Sequence, residues 1–183
     1  MRFLLTIIIF LLIFHFKSFT NSNKDLEELR VLFYSSVEDD NIMPRFKNKL
    51  LKTFGEYNAK INNPLGTAYW GIYRTLIAKH SLNPYTKLKE LQKGLEIMEE
   101  AIKNDDNNLE IRFLRFSVLH HIPDFLGYKN EKTDDARKIA ELLINKDSTS
   151  LGFQFQKGIA EFIIKSQRID KNNIQKLTDI YLK

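Results

Sequence analysis

The chain has 183 residues, a size that predicts one domain able to bury a hydrophobic core. Its formal net charge is +5, and its positive and negative residues are interspersed, which is typical of solvated helix faces and argues against a nucleic-acid partner. The sequence contains no cysteine, so disulfide bonds, thiolate metal sites, a cysteine nucleophile and a lipidated N-terminal cysteine are excluded. We therefore expect a domain that is held together by packing.

The first twenty residues have the layout of a secretory signal peptide. Arg2 supplies an early positive charge, and the apolar run that follows, residues 3–14, is shorter than the ~20 residues that span a bilayer. The alternative interpretation is an uncleaved membrane anchor. We expect cleavage near Asn21, which gives a mature domain, residues 21–183, with a net charge of about +3. This domain is expected in the periplasm or cell envelope, without stable membrane insertion.

Three helices are predicted in the first half of the chain. The first begins near Ser22, in a capping-box-like pattern, and keeps its helical spacing to about Val37. A second helix is predicted over residues 42–61, where apolar residues share one stripe. Asn63 and Pro64 supply a cap and a first-turn proline for the third. Apolar residues lie on two sides of this third helix, so we expect neighbours on both.

The stretch 85–127 predicts an antiparallel helix pair on which the remaining helices stack. The first helix carries an apolar stripe, which consists of Leu88, Leu91, Leu95, Met98 and Ile102. Gly94 lies beside this stripe, where a missing side chain lets another helix come close. After a polar turn, the second helix is apolar around most of its circumference from residue 109 to its end before Pro123. We expect it to lie at the centre of the fold.

Three more helices are predicted after this pair. Thr133 is an expected N-cap, with Asp134 and Asp135 in the first helical turn, where carboxylates complement the helix dipole. Residues 147–149 are expected to cap a seventh helix, and Asp170 an eighth. No stretch shows the alternation of a strand. The predicted fold is therefore all-α, with about eight helices arranged as stacked antiparallel hairpins.

Two segments resemble known families. Residues 94–112, GLEIMEEAIKNDDNNLEIR, resemble the junction between two tetratricopeptide repeats, and Asp106 stands where that family has a proline. Residues 108–128, NLEIRFLRFSVLHHIPDFLGY, are similar to a family of short exported helical proteins from Bacteroidota. The first resemblance implies stacked helical hairpins. The second implies a helical fold and an exported location, and it implies no activity.

A histidine pair and an acidic residue surround the predicted helix end at Pro123. His120 and His121 are adjacent, so their side chains point about 100° apart on a helix and are poorly placed to bind one metal together with Asp124. We expect one ring to be packed and the other solvated. The turn that follows, residues 124–127, is expected to supply an apolar plug through Phe125 and Leu126 and a glycine able to take a positive φ.

Two arginines interrupt the most apolar helix. Arg112 and Arg115 lie three residues apart, and a buried guanidinium requires a carboxylate or an anionic ligand. We expect a structural ion pair with Glu96, Glu99 or Glu100 on the preceding helix. The alternative is a binding site for an anion.

No nucleophile elbow, P-loop, dinucleotide fingerprint or EF-hand loop occurs in the sequence. The leading hypothesis is therefore an exported, non-enzymatic protein-interaction or scaffold domain of the cell envelope, with a protein partner and no metal or cofactor. The alternative is a carrier that binds a small apolar or anionic ligand between its helices. An enzyme that uses the histidine pair and Asp124 is a third hypothesis. The candidate ligand-binding residues are Arg112, Arg115, His120 and His121.

Overall fold

The computed structural model describes residues 21–57, 63–146 and 151–183, and these parts of the chain are all-α, as predicted. They contain eight α-helices and no strand. The helices are α1 (Asn21–Glu38), α2 (Met43–Phe54), α3 (Pro64–His80), α4 (Pro84–Asn104), α5 (Leu109–His120), α6 (Lys129–Asn145), α7 (Phe153–Ser166) and α8 (Lys171–Tyr181). The predicted signal peptide, residues 1–20, lies outside the described residues. None of the described helices is both long enough and apolar enough to span a membrane.

Polar side chains begin three of the helices where the sequence predicts them. Asn63, Asn108 and Asp170 each accept a hydrogen bond from the backbone N–H three residues later, at 3.0, 3.2 and 2.9 Å. These bonds satisfy N–H groups that have no partner within the helix. The cap predicted at residues 147–149 lies outside the described residues, and α7 begins at Phe153.

Two helix boundaries differ from the prediction. Helix α2, predicted to reach residue 61, ends at Phe54, because Gly55 adopts a φ of +79° that does not fit a right-handed helix. Residues 58–62 lie outside the described part of the chain. Helix α6 begins at Lys129, about one turn before the predicted cap. Thr133 is an interior residue of α6, and its hydroxyl donates to the carbonyl of Lys129 at 2.9 Å.

The chain divides into two compact units, with the boundary between Ala101 and Ile102 near the end of α4. In the first unit, α3 packs against α1 and α2 through aromatic rings. Phe33 of α1 and Phe46 of α2 meet Tyr69 of α3 edge to face, with ring centroids 6.4 and 6.5 Å apart. Such pairs add roughly 0.5–1.5 kcal/mol to the effect of area burial. The single domain expected from the chain length stays a prediction.

Helices α3 and α4 touch backbone to backbone at a pair of glycines. A Cβ atom on Gly94 would lie 2.7 Å from the carbonyl oxygen of Gly71 and 2.6 Å from the methyl group of Thr75. A Cβ atom on Gly71 would in turn lie 2.7 Å from the carbonyl oxygen of Gly94. Since neither position has room for a side chain, the predicted packing role of Gly94 is confirmed.

The second unit is built around α6, which packs against α5, α7 and α8. Its buried apolar residues come from all four helices and from the segment before α7: Leu109, Phe113, Phe116, Ala136, Ile139, Ala140, Leu142, Leu143, Leu151, Ile159, Ala160, Ile163, Leu177 and Tyr181. The hydroxyl of Tyr181 donates to the carbonyl of Leu143 at 3.0 Å. This bond attaches the last helix to α6, so α8 is part of the core.

Candidate functional site

Asp135 of α6 joins both arginines of α5 in one ion-pair cluster. Arg115 donates through Nε and Nη2 to the two oxygens of Asp135, at 2.7 and 2.8 Å, and Arg112 donates through Nη1 at 2.9 Å. The carboxylate is fully buried, with 0% of its side chain exposed, and Arg115 is buried as well. Charge-assisted bonds in this forked geometry are among the stronger hydrogen bonds in proteins. They fix α5 against α6.

The sequence predicted a buried ion pair for Arg115 but did not identify this carboxylate. Glu96, Glu99 and Glu100 were the expected partners, whereas Asp135 was expected in the first turn of a helix. Because α6 begins about one turn earlier than predicted, Asp135 lies beyond that turn, at a buried position facing α5. Glu96 is largely exposed, beside Lys93 on its own helix.

A buried lysine supports the turn between α5 and α6. Lys132 has only 1% of its side chain exposed, and its Nζ donates to the carbonyl of Ile122 and to Oδ1 of Asp124, both at 2.7 Å. Nη2 of Arg168 lies 3.6 Å from the same carboxylate oxygen. The hydrogen bond from Lys132 holds the pKa of Asp124 below its ordinary value, against the opposing effect of burial. The turn is thus held by hydrogen bonds from a buried lysine side chain.

The turn displays its aromatic residue to solvent. Residues Asp124–Leu126 form one 3-10 turn, which Gly127 closes with a φ of +91° and an N–H that donates to the carbonyl of Asp124 at 3.2 Å. Phe125 is 86% exposed. The prediction that it acts as an apolar plug is therefore wrong, because the space under the turn is occupied by the lysine side chain.

The histidine pair lies at the end of α5, with one ring packed and the other exposed. The ring of His120 lies 5.9 Å from that of Phe116 and 5.2 Å from that of Phe162. His121 is exposed, and its ring meets His120 edge to face at 5.2 Å. Nδ1 of His120 is buried and has no hydrogen-bond partner among the described residues. This packing suits a neutral imidazole, and ligand binding by either ring stays a prediction.

Acidification is expected to destabilise the protein through His120. Burial lowers the pKa of His120 below its ordinary 6.5, and the charges of His121, Arg168 and Lys132 lower it further. As the pH falls, His120 therefore takes up its proton in the unfolded chain before it does so in the folded protein. Its contribution to the free energy of unfolding is complete above about pH 6.5 and is lost as the pH falls toward the pKa of the folded state. Denaturant melts at about pH 7 and about pH 5.5 should show a loss of stability that is smaller in His120→Gln.

A titration of the imidazole signals by NMR checks the same point residue by residue. His121→Gln removes one of the neighbouring charges, so the pKa of His120 should rise toward its ordinary value in that variant. A pKa of His120 at or above 6.5 in the unmodified protein would contradict the expectation.

The structure also exposes an apolar surface that the sequence analysis missed. Leu82 is 98% exposed in the turn before α4, and Tyr85 and Leu88, three residues apart on one face of α4, are 76% and 45% exposed. We refer to these three residues as the α3–α4 patch. Leu88 was predicted to belong to the buried stripe, but the buried part of α4 begins one to two turns later, at Gly94.

The backbone of the α3–α4 patch is held in place by its own side chains. Oδ1 of Asn83 accepts hydrogen bonds from the N–H groups of Tyr85 and Thr86, at 2.9 and 3.1 Å. The hydroxyl of Ser81 donates to the carbonyl of Asn83 at 3.4 Å. These bonds fix the start of α4, so the exposure of Leu82 is a property of an ordered turn.

Within the described ranges, no three histidine, aspartate or glutamate side chains come close enough to hold a metal ion. Comparison with protein-family models, curated proteins and solved structures finds no match to this chain. The described residues thus define an all-α protein with a buried two-arginine ion-pair cluster and an exposed apolar surface at the start of α4.

Proposed function

We propose that this chain is an exported, non-enzymatic protein-interaction domain of the cell envelope, and that its protein partner binds the α3–α4 patch. The observation that carries the proposal is the joint exposure of Leu82, in the ordered turn before α4, and of Tyr85 and Leu88 at the start of that helix. Exposed apolar groups that lie together, with charged residues around them, are typical of protein interfaces. Tyrosine is also enriched among the residues that contribute most to binding.

Charges of both signs lie along the helix beside the patch. Lys87 and Lys89 flank Leu88 in the sequence, and Glu90 forms an ion pair with Arg74 at 3.1 Å. Nζ of Lys87 lies 3.5 Å from the carbonyl of Lys79, so this charge lies over the end of α3. An apolar centre with a polar rim of this kind excludes water when a partner docks. The ordered backbone limits the entropy lost on binding.

The chemistry around the histidines supports a role without catalysis. His120 packs against aromatic rings, and its lowered pKa keeps it neutral near pH 7. Asp124 accepts a hydrogen bond from Lys132, so its carboxylate takes part in holding the turn between α5 and α6. His120 and Asp124 therefore have structural roles, the first in packing and the second in the turn.

The alternative function is that of a carrier, in which a small anionic ligand binds at Arg112 and Arg115. Arg112 and Arg115 already donate to Asp135, and Nε of Arg112 also donates to the carbonyl of Asp106 at 3.0 Å. An anion would have to compete with these protein hydrogen bonds. Calorimetric titration with inorganic phosphate and with a fatty acid tests the carrier, and saturable binding that is lost in Arg112→Gln would favour it.

Photo-crosslinking from position 85 tests the interaction proposal. Replacing Tyr85 with benzoylphenylalanine in the producing cells should give one discrete crosslinked adduct, which mass spectrometry identifies. The control places the same group at exposed Glu96, eleven residues and about 16 Å further along α4. No adduct at either position, or the same adducts at both, would contradict the proposal.

A substitution then measures how much the patch contributes to affinity. Tyr85→Ala should weaken binding of the identified partner by about 30-fold, the effect of losing a central interface residue. Exposed Gln92 lies two turns further along α4, and Gln92→Ala should leave the affinity unchanged. The melting temperature should stay the same in both variants.

Export is checked separately, since the envelope-associated protein should begin near Asn21 on N-terminal sequencing.

A further inference from the structure

A second exposed apolar surface, in the other unit, lies in a basic environment. Phe125 and the neighbouring Leu126, which is partly exposed, form the tip of the turn between α5 and α6. We refer to these two residues as the α5–α6 tip. The single carboxylate of this turn, Asp124, is hydrogen-bonded to Lys132 and lies 3.6 Å from Arg168. Its negative charge is therefore already matched within the protein.

Further positive charge lies next to the tip. Lys129, the first residue of α6, is exposed and close enough to Asp124 to affect its titration. Together with Lys132 and Arg168, it brings three cations around Asp124, against two carboxylates when Glu131 in the first turn of α6 is counted. The surroundings of the tip are thus net positive, in contrast to the mixed charges beside the α3–α4 patch.

We propose that the α5–α6 tip inserts into the surface of an anionic lipid bilayer, with Lys129 and Arg168 facing the lipid headgroups. Aromatic and leucine side chains enter the boundary between headgroups and acyl chains, while nearby lysine and arginine are attracted to the negative surface. A single turn buries little apolar area, so the attachment is weak and reversible, and it requires none of the described helices to cross the bilayer. This proposal goes beyond the proposed function, because it concerns a different surface and a different kind of partner.

The support inside the turn explains how the tip can insert without unfolding. Nζ of Lys132 donates to the carbonyl of Ile122 and to the carboxylate of Asp124, and the N–H of Gly127 donates to the carbonyl of Asp124. Insertion therefore moves only the two exposed side chains out of water. The polar backbone of the turn keeps its hydrogen bonds, which reduces the cost of entering an apolar medium.

A fluorescent label at position 126 tests the proposal, because the chain contains no cysteine that would compete for it. Leu126→Cys is labelled with the environment-sensitive dye NBD in the full chain, whose N-terminal segment is then the same in every variant. Vesicles that contain phosphatidylglycerol should shift the emission to the blue, and vesicles of phosphatidylcholine alone should not. The control label is at Asn172→Cys, an exposed position of α8, and its emission should not change.

Two further variants separate the apolar contribution from the charge contribution. Phe125→Ser in the labelled chain should abolish the shift. Lys129→Gln should raise the lipid concentration for the half-maximal shift by roughly fivefold, the effect of one lysine at an anionic surface, whereas Lys176→Gln, a matched charge change on α8, should not. The proposal is overturned by no shift with either vesicle, by equal shifts with both, or by a shift that appears only when a protein partner is added.

Discussion

Replacing Asp135 with alanine is expected to lower the free energy of unfolding by about 3–5 kcal/mol. The buried carboxylate accepts hydrogen bonds from two guanidinium groups, so its removal leaves Arg115 and Arg112 without this partner in a poorly solvated place. A loss of this size is a large part of the ~5–15 kcal/mol that stabilises a typical domain. Urea denaturation followed by circular dichroism measures it.

The adjacent acidic residue provides a matched control. Asp134 precedes Asp135 on α6 but is exposed, and its ion pair with Arg137 lies at the surface. Asp134→Ala should therefore change the free energy of unfolding by less than about 1 kcal/mol. Similar effects of the two substitutions would show that the buried cluster contributes no more than a surface ion pair.

Gly94→Val is expected to lower the free energy of unfolding by about 2–3 kcal/mol. The new side chain would overlap the carbonyl of Gly71 and the methyl group of Thr75, and the backbone carbonyl cannot move aside without shifting α3. Gly94→Ala should cost less, because alanine regains up to ~1 kcal/mol of helix propensity. Thermal melts of the two variants give the comparison.

Gln92→Val places the same side chain on the exposed face of α4, two residues earlier. It should cost only the few tenths of a kcal/mol that valine loses in helix propensity. If Gly94→Val were as stable as Gln92→Val, the close approach of α3 and α4 would not be needed for stability.

Local features of this fold could be predicted from the sequence because they depend on residues close together in the chain. Asn108 caps α5 through an N–H three residues away, and Gly127 closes a turn that its own backbone permits. The all-α class follows from apolar spacing in the same way. Such signals do not depend on how distant helices pack.

The candidate site depended on tertiary contacts, and the prediction was weaker there. Asp135 and Lys132 occupy the positions that extend the apolar stripe of α6 toward its start, at the three-and-four spacing of Ile139 and Ala136. Charged residues at buried stripe positions indicate paired charges. This signal is hidden because the sequence predicts Thr133 as the N-cap, which puts Lys132 outside the predicted helix and Asp135 in its first turn. No pattern in the sequence distinguishes exposed Leu88 from the buried residues of its stripe, because the burial of a stripe residue depends on which helices pack beside it.

The shared carboxylate also has a consequence for how α5 and α6 find their alignment. Apolar faces that repeat at helical spacing would still meet if one helix slid past the other by a turn, which is about 5.4 Å. Such a slide would carry Asp135 away from both Arg112 and Arg115, which bind it within 2.9 Å in the native hairpin. The apolar contacts thus supply the attraction between the helices, and the charges select one register among several that would bury similar area.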